Sequence, residues 1–573
     1  MKLSRAPCST CLLCVAVLAL LVTATPSVFK PIRAWAAGGQ GASVEAAGAT
    51  GVVPAATTAS YRLTAWSELG MHCIDGKDYS IFSVLPPFNI IRAQLINMTS
   101  STLVTSGVTI TYQALAEAGG SINTTSKNKT NFWTYTKLLF SPLFGPAPLP
   151  DVGLTKFKVQ SLTPQNMVYD PKFGYWNATA VPTMPYDDNF AFNPYPMALI
   201  VAKDASGNVL SQAKIVLSVS DEMTCKNCHA SGSDAAAEPA SGWVNNPNPL
   251  KDTKLNILKL HDQKFVISNF LLSQLKAKGY VYQNSLYQTA VSGTPVLCAA
   301  CHSSNALSTK GFPGINSLTR DMHRLHSSVV NPATGTTLDN ATTNLGACYL
   351  CHPGPKTLCL RGAMSSNIRC IDCHGNLSQV ATLSRIGWIT LPACQSCHEK
   401  GVRYTSAFDS PGHWRVATDL TFATNANKPQ AGADLYRFSR GHGTQYCSAC
   451  HGSPHAEYPT TRAVDNIYSV ALQGHQGPIR ECQTCHNPVP VTPNGGPHGM
   501  HNVDQAWVTQ HHDLMPEHNP TPCARCHGSD YRGTFLSAVK TRKTFDAGDF
   551  GTKTFTAGHQ VSCYDCHNGP NGG

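Results

Sequence analysis

Charged residues are scarce in this chain of 573 residues. Asp, Glu, Lys and Arg make up 13% of it, whereas an average globular domain has about 25%. The Lys and Arg side chains form no cluster or stripe, so the formal charge of +10 does not indicate a nucleic-acid-binding surface. Long apolar runs are also missing. The run Leu12–Val22 is shorter than the roughly 20 residues that span a bilayer, and no later run approaches that length. We therefore expect neither nucleic-acid binding nor a transmembrane segment.

The first residues have the layout of a secretory signal. Lys2 and Arg5 precede the apolar run, and small residues at Ala34–Ala36 form a cleavage-site pattern, which predicts a signal peptide over residues 1–36. The Ala-, Gly- and Thr-rich residues 37–60 predict a flexible leader. We therefore expect an exported protein, located at the cell surface, outside the cell or in the periplasm.

Residues 61–220 carry the signals of a β-sandwich-like domain. Asp204–Asn208 has the Asp, Ser, Gly and Asn residues that favour a hairpin turn. The region contains one cysteine, Cys73, and no recognisable pocket motif. The predicted strands are Tyr61–Trp66, Ile90–Ile96, Val108–Tyr112, Phe157–Leu162, Ala198–Ala202 and Ala213–Val219.

The composition changes abruptly at Cys225, because 19 of the 23 cysteines lie from that residue onward. Helical periodicity is clear only over residues 255–276, and Gly and Pro interrupt the other patterns. Residues 221–573 therefore have too little continuous apolar sequence to build a core of their own. The predicted fold class is mixed: a β-sandwich-like domain, followed by a loop-rich and sparsely helical region.

Most of these cysteines belong to nine Cys-x-x-Cys-His motifs, numbered here 1 to 9 in chain order. Two cysteines three residues apart lie on one helical turn, and the histidine follows directly. The cysteine pairs, in order, are Cys225 and Cys228, Cys298 and Cys301, Cys348 and Cys351, Cys370 and Cys373, Cys394 and Cys397, Cys447 and Cys450, Cys482 and Cys485, Cys523 and Cys526, and Cys563 and Cys566. The histidines, in the same order, are His229, His302, His352, His374, His398, His451, His486, His527 and His567.

This motif is the attachment signature of c-type haem. The two thiols would form thioethers with the haem vinyl groups, and the imidazole would ligate the iron. A single motif is also compatible with a zinc site or a redox-active cysteine pair, but nine copies that all end in His disfavour both. We therefore predict nine covalent haems c that act as the core of residues 221–573. Their propionates would supply the missing surface charge and offset the positive net charge.

Fourteen histidines lie outside the motifs, and nine low-spin haems would need nine of them as distal ligands. His323 and His326 are three residues apart, so one helix face could serve two neighbouring haems. His261 lies in the predicted helix, where a buried structural histidine is the alternative. His442 and His475 stand beside glycines just upstream of motifs, where the backbone can approach a porphyrin closely.

The nine motifs make Cys225–Gly573 resemble the multihaem c-type cytochromes that metal-respiring bacteria export to the outer membrane. The segments Gly70–Cys73, Met322–His326, His451–His455 and Pro497–His501 are similar to stretches of large members that carry a β-domain ahead of the haems. The resemblance implies closely stacked haems with two histidine ligands each. The distal ligands it favours are His261, His323, His326, His442, His455, His475, His498, His501 and His511, with His413, His512, His518 and His559 in reserve.

The function expected from the motifs and the resemblance is electron transfer through the haems. Its partners would be periplasmic or outer-membrane redox proteins and an extracellular acceptor such as a metal oxide, and assembly into an oligomer or filament stays open. The alternative is an enzyme, a reductase of nitrite, hydroxylamine or a sulfur oxyanion with one open haem iron. In a third reading, the β-domain docks a partner that the haems serve. Because all nine motifs end in His and histidines are in excess, we favour a carrier over an enzyme.

Cys73 and Cys359 are the two cysteines of the expected mature chain outside the motifs. Because the protein is expected in an oxidising compartment, we hypothesise that they form a disulfide between the β-domain and the haem region. The alternative is that each is a small buried residue.

Overall fold

Antiparallel strands build the first part of the chain in a computed structural model. The structure describes residues 60–387, 390–399, 402–416, 440, 442–487, 504–513, 519–533, 537, 539, 542–556 and 558–571. The predicted signal peptide, and all but the last residue of the predicted leader, therefore lie outside the described residues. The first twelve strands are β1 Tyr61–Ser67, β2 His72–Cys73, β3 Phe82–Ser83, β4 Phe88–Asn97, β5 Thr102–Val104, β6 Val108–Leu115, β7 Gln165–Asn166, β8 Val168–Asp170, β9 Tyr175–Pro182, β10 Met197–Asp204, β11 Val209–Val216 and β12 Val219–Ser220.

Most of these strands form two antiparallel sheets. One sheet has the order β1-β4-β9-β8, with β5 also pairing with β4, and the other has the order β11-β10-β6-β7. Side chains alternate between the two faces of a strand, so one face of each sheet can be apolar. Leu63 and Ile91 of the first sheet and Ile110 and Ile200 of the second belong to the same buried cluster. The two sheets therefore share a core.

The Asp204–Asn208 turn is confirmed, because the Asp204 carboxylate accepts hydrogen bonds from the amides of Ser206 and Asn208 at 2.9 and 2.8 Å. The predicted strand Phe157–Leu162 is wrong. Its backbone does not pair along one neighbouring strand. Phe157 and Val159 are hydrogen-bonded to Gly153 and Asp151, and Lys158 forms only an isolated bridge to Val152. An unexpected helix, α1 Phe132–Phe144, also lies in this region.

Short helices follow the two sheets. The prediction of one helix over residues 255–276 is wrong, because α3 ends at Lys264 and α4 begins at Asn269. Phe265 has extended backbone angles, and the Ser268 hydroxyl caps α4 by accepting a hydrogen bond from the Leu271 amide at 3.2 Å. The helices after α1 are α2 Lys226–His229, α3 Pro249–Lys264, α4 Asn269–Ala277, α5 Leu286–Val291, α6 Leu318–His326, α7 Cys370–His374, α8 Leu377–Val380, α9 Cys447–His451, α10 Ile467–Gln473, α11 Gln505–Gln510 and α12 Ala524–His527.

The rest of the described chain consists of 3-10 turns, loops and two-stranded pairings, so the mixed class is confirmed. The 3-10 turns are Ala235–Ala237, Cys298–Ala300, Leu338–Asn340, Cys348–Leu350, Ala363–Ser366, Cys394–Ser396, His442–Thr444, Ala463–Asn466, Cys482–Thr484, Thr521–Cys523, Gly548–Phe550 and Cys563–Asp565. The later strands are β13 Val296–Leu297, β14 His398–Glu399, β15 Val402–Arg403, β16 Phe408–Ser410, β17 His413–Trp414, β18 Gly452–Ser453, β19 Ala456–Glu457, β20 Lys543–Asp546 and β21 Thr552–Phe555.

The β region, residues 61–220, and the motif region, residues 221–573, share apolar cores. Phe82 and Phe140 belong to the same buried cluster as Leu255 and Leu297. Strand β13 pairs in parallel with β3 and leads directly into Cys298 of motif 2. Ala55–Gly573 accordingly form one compact unit. None of the described helices combines the length and the apolar character needed to cross a membrane.

Candidate functional site

Each motif forms a single helical turn. In motif 3, the His352 amide donates a hydrogen bond to the Cys348 carbonyl at 2.8 Å, and the Cys351 amide donates to the same oxygen at 3.2 Å. The equivalent bond from His302 to Cys298 in motif 2 is 3.0 Å. This turn carries both thiols and the imidazole of a motif, which is the local arrangement that two thioethers and one iron ligand require.

Burial raises the pKa of most of the described motif thiols, whereas a hydrogen bond with Cys370 lowers the pKa of Cys348. Burial raises the pKa values of Cys298, Cys351 and Cys450 each to about 12. A Cys-x-x-Cys pair that exchanges disulfides instead has a lowered pKa, because the thiolate is the attacking species. These three thiols therefore do not have the electrostatic environment of a redox-active cysteine pair.

Among the described residues, the motif histidines His229, His352 and His374 each face a single histidine from outside the motifs, and these partners are all predicted distal ligands. The ring planes of the pairs differ, with angles of 76°, 20° and 61°, whereas the distance between ring centres is nearly constant. The pairs are His229 with His326 at 6.2 Å, His352 with His323 at 6.1 Å, and His374 with His455 at 6.3 Å. The structure thus pairs motifs 1, 3 and 4 each with a histidine from outside the motifs. His326 and His455 lie far in sequence from the motif histidines that they face, whereas His323 lies nearer to its partner.

A cluster of three histidines lies at motif 9. The ring centre of His567 is 5.9 Å from that of His511 and 5.1 Å from that of His512. One nitrogen of each ring lies within 4.8 Å of those of the other two. His511 also interacts electrostatically with His527 of motif 8. His511 and His512 therefore stand where one could serve motif 8 and the other motif 9.

In several motif histidines and predicted distal ligands, the ring nitrogen Nδ1 is hydrogen-bonded to a backbone carbonyl. Because a carbonyl accepts hydrogen bonds, each Nδ1 carries the proton and leaves Nε2 as the basic nitrogen, which is the usual state of a metal-bound histidine. The Nδ1–carbonyl distances are 2.7 Å from His323 to Thr319, 2.6 Å from His326 to Met322, 2.9 Å from His302 to Asn316, 2.7 Å from His527 to Val561 and 2.7 Å from His567 to Gly569.

Burial keeps the imidazoles of four histidines in the ring pairs neutral. It lowers the pKa values of His229, His352 and His455 each to about 4, and that of His374 to about 3. A metal ion binds the neutral imidazole, so a buried histidine with a low pKa needs to release no proton when it binds one at neutral pH.

Two further predicted distal ligands are in different surroundings. Burial lowers the pKa of His261, and Asp262 and His302 of motif 2 interact with it electrostatically. His475 instead places its Nε2 3.5 Å from the Glu481 carboxylate, and its Nδ1 contacts the Gln476 carbonyl at 2.8 Å. Among the described side chains, no ring pair joins His475 to a motif histidine.

Two reserve ligands, His413 and His559, contact aspartates and form no ring pair with a motif histidine among the described side chains. The exposed His413 lies 3.7 Å from Asp409, and the Nε2 of His559 lies 3.0 Å from Asp565. His498, His501, His518 and the side chain of His442 lie outside the described residues.

His72 has the character of a ligand but was not selected from the sequence. It lies in β2 and is 6% exposed, and its Nε2 has no hydrogen-bond partner within the described part of the chain. Burial lowers its pKa to about 4. The available signal was that His72 is the single histidine before Cys225.

Cys73 and Cys359 carry free thiols that interact electrostatically with each other. Burial, followed by the interaction with Cys359, raises the pKa of Cys73. The neighbours of Cys359 hold it against β2 and β12: the hydroxyls of Thr357 and Ser220 are 3.0 Å apart, and the Arg361 guanidinium donates to the Gly70 carbonyl at 2.6 Å.

We therefore expect the mature protein to contain a Cys73–Cys359 disulfide. Non-reducing peptide mapping of protein purified from the oxidising compartment should recover the two cysteines in one linked peptide. The same digest after reduction is the control. Recovery of two alkylated thiols without prior reduction would contradict the prediction.

Comparisons with known proteins do not place the chain in a family. No family model, curated protein or solved structure matches it.

Proposed function

We propose that this protein is an exported c-type cytochrome that binds nine haems covalently and transfers electrons along them. The observation that carries the proposal is the recurrent spacing of about 6 Å between a motif histidine and a second imidazole. The donor set fits a c-type haem, because each motif offers paired thiols and an imidazole on one turn.

The spacing has a simple geometric meaning. Two imidazoles that bind one metal ion from opposite sides, with metal–nitrogen bonds of about 2 Å, have ring centres roughly 6 Å apart. Such rings can rotate about the metal–nitrogen axis without changing this distance. A direct stacking contact would instead link the distance to the angle between the rings. A constant distance with angles from 20° to 76° therefore favours a shared metal ion.

A haem with two histidine ligands supplies reversible one-electron transfer. The chain's own residues would hold the porphyrin through the thioethers, fix both imidazoles and keep them neutral. The proposed donors are periplasmic or outer-membrane redox proteins, and the proposed acceptor is extracellular, such as a metal oxide or another cytochrome. The signal-like first segment supports export.

The haem content tests the proposal directly. We expect the intact mass to exceed that of the mature polypeptide by nine haems, because each motif would bind one covalently. A pyridine haemochrome assay on the same sample should give the same number. Six or fewer haems, or stoichiometric zinc without haem, would refute the proposal.

Electron paramagnetic resonance of the purified protein separates a carrier from a reductase. We expect only low-spin ferric signals, because two histidines on each iron leave no open position for a substrate. A high-spin fraction that responds to nitrite or hydroxylamine would instead favour the reductase.

The paired histidines predict distal ligation haem by haem. We expect His326→Ala and His323→Ala each to convert one low-spin haem to high-spin, because each variant removes one imidazole. The covalent haem count should stay the same. His413→Ala is the matched control, since the exposed His413 lies beside Asp409, which belongs to no motif. An all-low-spin spectrum for either distal variant would contradict its assignment.

A further inference from the structure

Motifs 1 and 3 are in direct contact although motif 2 lies between them in sequence. The Asn227 side chain, inside motif 1, donates to the Leu350 carbonyl, inside motif 3, at 3.5 Å. Helix α6 joins the same two motifs, because its His326 faces motif 1 and its His323 faces motif 3. Two histidines three residues apart on one helix are neighbours, so the two haem sites must also be neighbours.

The contacts continue from motif 3 to motif 4. The Cys370 amide of motif 4 donates to the Asn344 side chain, just before motif 3, at 2.9 Å. The thiols of Cys348 and Cys370 are also hydrogen-bonded to each other. The attachment points of these two haems are therefore adjacent.

Motif 5 lies next to motif 4 in space. The segment after motif 5 returns to motif 4, where the Asp372 carbonyl accepts a hydrogen bond from the Ala407 amide at 2.8 Å. The Trp414 indole donates to the Cys373 carbonyl at 3.2 Å. The thiol of Cys373 also interacts electrostatically with that of Cys397 in motif 5.

Motifs 6 and 7 extend the series. The thiols of Cys394 in motif 5 and Cys447 in motif 6 are hydrogen-bonded. The Cys450 carbonyl of motif 6 accepts the Ile479 amide, three residues before motif 7, at 2.8 Å. Cys450 and Cys485 of motif 7 also interact electrostatically.

Motif 2 joins the series at motif 1. Helix α3 touches both, since Asn256 donates to the His229 carbonyl of motif 1 at 3.0 Å, and Leu255 and Leu258 belong to the same buried cluster as Ala299 and Ala300 of motif 2. The buried Lys254 of the same helix interacts with the thiols of Cys225 and Cys298.

We infer that motifs 1 to 7 hold their haems in one row in the spatial order 2-1-3-4-5-6-7, which differs from the order along the chain. This inference rests on the proposed function, and it gives the order of the haem sites along which electrons would be transferred. Motif 2 lies at one end of the row, so the residues of motif 1 would hold a haem between those held by motifs 2 and 3.

Motifs 8 and 9 form an adjacent pair. The His527 ring of motif 8 donates to the Val561 carbonyl, two residues before motif 9, at 2.7 Å. The Cys563 amide of motif 9 donates to the Tyr531 carbonyl, just after motif 8, at 3.0 Å. The chain between motifs 7 and 8 lies mostly outside the described residues, so the proposed row ends at motif 7.

The order of motifs 2, 1 and 3 can be tested with a magnetic marker. His261→Ala should make the haem of motif 2 high-spin, and its resonance should be broadened by the nearest neighbouring iron. Two matched backgrounds then remove one haem each: Cys225→Ala with Cys228→Ala removes that of motif 1, and Cys348→Ala with Cys351→Ala removes that of motif 3.

We expect the high-spin resonance to narrow when the motif 1 haem is absent and to stay broad when the motif 3 haem is absent. The opposite result, or the same width in both backgrounds, would overturn the order. A density map of the nine-haem protein gives the order independently where a variant fails to mature. A protein with nine haems in another order defeats this inference alone, whereas a protein without haem defeats the proposed function.

Discussion

Replacing Arg361 with alanine is expected to lower the free energy of unfolding by about 3 to 5 kcal/mol, the cost typical of breaking a buried ion pair. The Arg361 side chain is fully buried and donates two hydrogen bonds to the Asp465 carboxylate, at 2.6 and 2.9 Å. It also donates to the Gly70 carbonyl at 2.6 Å and to the Ser218 hydroxyl at 2.8 Å. The variant would leave a buried carboxylate without its cation and remove a link between the β region and the motif region.

Arg369→Ala is the matched control for this prediction. Arg369 also pairs with an aspartate, Asp372, at 2.7 Å, but its side chain is 44% exposed. An exposed pair of this kind contributes less than about 1 kcal/mol. Urea unfolding of both variants gives the comparison. Equal midpoints for Arg361→Ala and Arg369→Ala would contradict the role given to the buried pair.

A double variant separates the buried charge from the loss of packing. Arg361→Met with Asp465→Leu removes both charges and keeps apolar volume, so we expect it to be more stable than Arg361→Ala. The reverse ranking would show that the links to Gly70 and Ser218 matter more than the compensation of Asp465.

The His72→Gln variant is expected to lose less stability on acidification than the wild type. The pKa of His72 is about 4 in the folded protein, below its ordinary value of 6.5. As the pH falls through 6.5, the unfolded chain binds a proton that the folded protein does not bind. Stability is therefore lost between pH 6.5 and about 4, by about 3 kcal/mol over the whole window.

Urea unfolding at pH 7 and pH 4.5 measures this difference for His72→Gln and for the wild type. Met71→Leu is the matched control, because Met71 is a buried neighbour without a titratable group. Its pH dependence should follow that of the wild type. A parallel loss of stability in all three proteins would rule out His72 as a source of acid sensitivity.

Local patterns predicted much of the β region. Strands β1, β4, β6, β10 and β11 were predicted with the correct type, because their signals lie within the strands themselves. Helix α1 was missed, since it contains Pro142 and belongs to a region dominated by strand signals. The break between α3 and α4 was missed because the cap at Ser268 lies inside an otherwise continuous helical pattern.

In the candidate site, too, the sequence predicted the features that depend on local spacing and missed those that depend on tertiary structure. The motifs and the shared face of His323 and His326 follow from spacing along a few residues, so the sequence predicted them. The facing of His374 and His455 depends on tertiary structure, and no local pattern reveals it. His72 was overlooked because it lies in the β region, far from any motif.

The shared apolar core limits how this protein can be recombined. The composition changes near residue 220, where an exchange of modules between genes would leave each sequence pattern intact. However, a chain cut there would expose Phe82 and Phe140 on one side and Leu255 and Leu297 on the other. A different N-terminal module would need a matching apolar surface, so the two regions should evolve together rather than be shuffled as independent units.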